Sequence, residues 1–132
     1  MKSLLRTLAV CFILSLVSFA AYSQDAPARP SLDPVIVSDS TATDGTRFVS
    51  VIPSPRVCSK QIDIEVSKKG VIKNVAFTKG CPGNTFAVCE LIKGMKVKDA
   101  IRKLEGTPCG KRGTSCPDQL ASALKLIQKK GK

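Results

Sequence analysis

The hydrophobic pattern of this 132-residue chain changes period once, and that change decides most of what it can fold into. Gln61 to Val66 (QIDIEV) alternates strictly, with Ile62, Ile64 and Val66 on one side and Asp63 and Glu65 on the other. A period of two marks a half-buried strand. Lys68-Lys69-Gly70 reads as a turn and Val71 to Thr78 (VIKNVAFT) as a second strand, which together predict a β-hairpin. Arg47 to Ile52 is a further strand segment. After Gly80-Cys81-Pro82-Gly83 the spacing turns helical. Val88, Leu91, Ile92 and Met95 share a face, with Gly94 near the stop. Val97, Ala100, Ile101 and Leu104 make a second apolar face before Gly106, and Pro117 opens a third helix that buries Leu120, Ala123, Leu124 and Ile127. Strands followed by helices predict an α+β fold: a small antiparallel sheet with three helices packed on one face.

The N-terminal third does not share this pattern. Lys2 and Arg6 precede an uncharged run from Leu8 to Ala21, and Ala21-Tyr22-Ser23 places small residues before Gln24. This is the layout of a secretory signal peptide over residues 1–23. The run is short for a membrane span, which needs roughly 20 apolar residues. The expectation is an exported, periplasmic or secreted protein with no membrane span after cleavage. Residues 24–46, rich in Pro, Ser, Thr, Asp and Ala, read as a flexible leader with at most one short strand at Val35 to Val37. Residues 47–132 are then the folded module.

Charge narrows the function. Removing Lys2 and Arg6 with the signal leaves 19 of the 21 Lys and Arg against 10 Asp and Glu, and 17 of those 19 lie from Pro53 onward. Such a cation attracts polyanions or an acidic protein through fields that salt screens. Lysines without interleaved aromatics are more often solvated helix faces than a binding surface. Histidine is absent, which removes the commonest general base and the Ser–His and Cys–His nucleophile arrangements.

Chemistry therefore falls to cysteine. Beyond the signal stand Cys58, Cys81, Cys89, Cys109 and Cys116. Cys89 lies inside a helix beside Val88 and reads as a small core residue. The other four sit in loops or at element edges. Cys81 and Cys116 each precede a proline and a helix start, where free backbone N–H groups favour a thiolate. Four thiolates can close a tetrahedral zinc site or carry an iron–sulfur cluster. In an exported protein the same four can instead form two disulfides, and Cys109 and Cys116, which bracket one loop, can act as an exchangeable dithiol.

The stretch from Val57 to Lys129 resembles the TSCPD domain family. The resemblance rests on Cys58-Ser59 before the alternating strand, the pattern from Gly70 to Phe77, the Gly80 to Asn84 element, Leu91 to Val97, and the closing run from Cys109 to Leu124 that contains Thr114-Ser115-Cys116-Pro117-Asp118. It implies Cys58, Cys81, Cys109 and Cys116 as shared cysteines and metal ligands, and leaves Cys89 outside the motif. The family includes small stand-alone proteins and a cysteine-bearing tail of vitamin-B12-dependent ribonucleotide reductases. The resemblance thus implies a non-catalytic binding module, or a redox or accessory module related to ribonucleoside-diphosphate reductase. A chain of this size with no histidine cannot build the reductase barrel itself. The order of elements is also similar to iron–sulfur scaffold proteins of the NifU type, with Cys58, Cys81 and Cys116 on their cluster cysteines. Lys60 and Ser115 replace that scaffold's acidic residue and histidine, so this second resemblance implies architecture rather than labile cluster assembly.

Overall fold

The computed structural model describes residues 32–130; the segment read as a signal peptide and the first part of the expected leader lie outside the described residues. Four strands, β1 (Val35–Thr41), β2 (Arg47–Ile52), β3 (Ser59–Val66) and β4 (Ile72–Lys79), are followed by three helices. These are α1 (Pro82–Ile92), α2 (Val97–Leu104) and α3 (Cys116–Lys130). The strands form one antiparallel sheet in chain order, β1-β2-β3-β4, as short connections between successive strands favour. The fold is α+β, as the period change predicts.

The period-two reading of β3 is borne out residue by residue. Ile62, Ile64 and Val66 are buried while Gln61, Asp63 and Glu65 are only partly covered. Their neighbours on the buried face are Val49 and Val51 from β2 and Ile72 and Val75 from β4. Against them pack Ile92, then Val97, Ala100, Ile101 and Leu104 of α2, and Leu120, Ala121, Ala123, Leu124 and Ile127 of α3. Burying each large aliphatic side chain contributes roughly 1.5–3 kcal/mol, so this one cluster holds sheet and helices together.

Two elements depart from expectation. The strand at Val35 to Val37 continues to Thr41 and pairs with β2 from Val35↔Ile52 to Thr41↔Arg47. Its composition hides it: β1 is an edge strand, and apart from the half-buried Ile36 its residues are exposed. Polar Ser38, Asp39, Ser40 and Thr41 therefore cost little there, and ladder hydrogen bonds supply the order. The register shifts between Ile36 and Ser38, a local bulge of the kind edge strands often carry. In α1, Leu91 does not join the core and is 74% exposed, whereas Val88 and Met95 are partly buried against it. α1 touches the body along a narrow line, with Thr85 and Ile92 its buried residues.

Candidate functional site: a four-cysteine cleft

The hairpin register explains how cysteines 23 positions apart meet. Ser59 pairs with Lys79, so Cys58 enters β3 at the same end where β4 hands over to Cys81. The exit from β4 is sharp. Lys79 and Gly80 have φ of 61° and 111°, and a Cβ on Gly80 would lie 2.9 Å from Thr85 Cγ2. Glycine is therefore required at position 80 on both conformational and steric grounds. The bend makes Cys81 the N-cap of α1, with Pro82 in the first turn. The Cys81 carbonyl accepts hydrogen bonds from the Thr85 N–H at 2.9 Å and the Thr85 hydroxyl at 3.0 Å.

At the other helix start, the Thr114 to Asp118 motif forms a clamp. The Ser115 hydroxyl accepts from the Asp118 N–H at 3.1 Å, capping α3. Thr114 Oγ1 donates to one Asp118 carboxylate oxygen at 2.7 Å, and the Gly106 N–H donates to the other at 2.8 Å, fastening α3 to the exit of α2. Next in line, Gln119 is 1% exposed yet fully engaged. Its Oε1 accepts from the Ser54 N–H at 2.8 Å, and its Nε2 donates to the Leu32 carbonyl at 2.7 Å and Thr114 Oγ1 at 3.0 Å. A polar side chain survives in the core because every one of these groups needs a partner. Together these bonds fix Cys116, buried as the first residue of α3.

The result is a cleft of about 240 Å³ walled by Cys58, Cys81, Cys109 and Cys116, with Asn84 and Arg112 at its rim. All four sequence-predicted site cysteines come together there, from four separate chain segments. Cys89 stays apart, half-buried on α1 and packed against the core, where burial and then the nearby Glu90 push its thiol pKa up. All five thiols are free in this structure.

The proximity of the sulfurs has an electrostatic consequence. The Cys81 pKa is raised, first by the charge of Cys58, then by partial desolvation and a hydrogen bond with Cys58, with smaller contributions from Cys116 and Cys109. Like charges sharing a site resist simultaneous ionisation. Arg112 offsets them: its Nη1 donates to Cys58 Sγ at 3.0 Å, and that contact, followed by the charges of Cys58 and Cys109, raises the guanidinium pKa further. Arg112 is the site residue that sequence reasoning missed. It stands beside Lys111 in a loop of turn residues, and only the fold distinguishes which of the two cations reaches sulfur.

Four soft donors around one small cleft suit a thiophilic metal by the chemistry of the donor set. Among the described residues, no three Cys, Asp or Glu side chains form a group that could hold a metal ion.

Fold and site together define a small α+β cysteine module whose signature motif positions a thiol at a helix start. Residues 37–128 match the TSCPD domain, and the chain belongs to that family. Neither the curated proteins nor the solved structures gave a match.

Proposed function

We propose that this chain is an exported TSCPD module that binds a soft metal, zinc or an iron–sulfur cluster, through Cys58, Cys81, Cys109 and Cys116, and serves as a non-catalytic binding or accessory protein. The observation that carries the reading is the convergence of those four thiols on one cleft of about 240 Å³. Cys58 and Cys81 flank the open end of the β3–β4 hairpin, and Cys116 comes from a clamped helix start. Cys109 comes from a loop that Gly110 and Gly113 shape with positive φ. A divalent cation would relieve the mutual repulsion of the thiolates, and the bound metal would supply a structural cross-link between sheet and helices. Arg112, already on Cys58, would balance the net negative charge that four thiolates leave around a divalent ion. The excess of lysine supports docking on an acidic partner or polyanion.

The test is elemental analysis of the purified protein combined with thiol counting. One zinc, or iron and sulfide in cluster ratio, per chain, with four thiols becoming reactive on chelation, supports the reading. A second reading has its own observation: the register that pairs Ser59 with Lys79 brings Cys58 and Cys81 to the same end of the hairpin, which favours a disulfide across its base. In that case the thiols stay blocked to chelator and open only to reductant, and no metal copurifies.

A further inference from the structure

A second cleft, of about 430 Å³, lies at the other end of the β3–β4 hairpin and shares no residue with the cysteine cleft. Its walls carry Lys68 and Lys69 from the hairpin turn, Lys96 and Lys98 from the start of α2, and Arg47 from β2. No aspartate or glutamate lines it. Arg47 is committed to Asp39 and to the Ile127 carbonyl. Three acidic groups adjoin the walls in sequence: Asp44 and Asp99 are engaged by Lys73 and Arg102, and Glu65 alternates with the buried Val66 on β3. None of the four lysines takes part in an ion pair among the described residues.

The arrangement is built by backbone, not left to surface chance. The turn closes through the Gly70 N–H on the Ser67 carbonyl and the Ser67 N–H on the Val71 carbonyl, both at 2.8 Å. The Val97 N–H then donates to the Gly70 carbonyl at 3.0 Å, joining the turn to the first residue of α2. Two lysine pairs almost thirty positions apart are thereby brought to one cleft. Lys68 is braced as well: a Cβ on Gly45, whose φ is +79°, would stand 3.0 Å from Lys68 Cβ, so the lysine stem lies flat on that glycine. Lys96 caps α2 without a side-chain hydrogen bond, and Lys98 sits in its first turn. Cations at that end oppose the helix dipole, and four of them around one cleft repel one another. An anion in the cleft reverses both penalties. Its volume falls within the range of small-molecule sites, roughly 300–1,000 Å³.

We propose that this cleft is a binding site for a small, soluble, multivalent phosphate-bearing anion, gripped by Lys68 and Lys69 of the hairpin turn together with Lys96 and Lys98 of the α2 start. The proposal is independent of what the cysteines hold. The test is titration of the full protein with pyrophosphate by calorimetry at low and moderate salt, with phosphatidylglycerol vesicles as a parallel arm for lipid headgroups. Lys68→Gln/Lys98→Gln is compared with Lys60→Gln/Lys103→Gln, which removes the same charge elsewhere, and both are checked by circular dichroism for folding. Expected is one pyrophosphate per chain, weakened by salt, with affinity roughly ten-fold or more lower in the first variant and nearly unchanged in the second. Amide shifts of Gly70 and Lys98 on titration locate the site even if a variant folds poorly. No pyrophosphate binding, binding to vesicles only, or equal loss in both variants would overturn the proposal.

Discussion

Replacing Gln119 with leucine removes polar atoms while nearly conserving side-chain volume, and it isolates the clamp that positions Cys116. The side chain is 1% exposed and makes three hydrogen bonds, two of them to backbone groups that no substitution can delete. In Gln119→Leu the buried Ser54 N–H loses its acceptor and the Leu32 carbonyl its donor. Thr114 Oγ1 keeps its bond to Asp118. An unsatisfied buried group costs about 1–3 kcal/mol, and the Leu32 side is only half-buried and partly reached by water. The added apolar burial returns part of this, leaving a net loss of about 2–3 kcal/mol. For a domain near 100 residues that lowers Tm by roughly 10–20 °C. Thermal and guanidinium unfolding followed by circular dichroism reads it directly. A variant within about 0.5 kcal/mol of the parent would refute the claim that Gln119 is held in the core by partners it must satisfy.

Gly80→Ala should destabilise by roughly 2 kcal/mol or more in denaturant melts, because its φ of 111° and the 2.9 Å approach to Thr85 Cγ2 both forbid a Cβ; an unchanged midpoint would contradict the tight bend before Cys81. Arg112→Ala should change the alkylation rate of Cys58 by roughly three-fold or more in a mass-spectrometric time course, since Arg112 Nη1 sits 3.0 Å from Cys58 Sγ; equal rates would remove Arg112 from the site. Asp39 has its pKa lowered, chiefly by the Arg47 hydrogen bond, so its contribution to stability is full above the ordinary carboxylate range and drains away as pH falls below about 4. Asp39→Asn should therefore flatten the acid limb of stability against pH, and an acid limb as steep as the parent's would contradict the pairing.

The readable parts of the chain are those where burial imposes a period. Ile62, Ile64 and Val66 announce β3, and Val97, Ala100, Ile101 and Leu104 announce α2, because each set must face one core. β1 obeys no such demand: its polar residues face water, and its order comes from the ladder with β2, which leaves no mark on composition. Leu91 satisfied the helical spacing yet points outward, since α1 has only a narrow contact and the spacing cannot show how wide a face is covered. The cysteines were legible by type and placement. Their meeting was not, because it depends on the Ser59↔Lys79 register and on the α3 clamp, both products of long-range pairing. Arg112 acquired its role only from the loop geometry that brings it to Cys58.

Whether the four thiols act as one ligand set is tested most directly by anaerobic cobalt(II) titration of the reduced protein, read on sulfur-to-cobalt charge transfer and tetrahedral ligand-field bands. Saturation at one cobalt per chain, weakened by serine at each of positions 58, 81, 109 and 116 and untouched by Cys89→Ser, is the predicted result. Absence of thiolate bands, or the same titration with all four cysteines replaced, would contradict it.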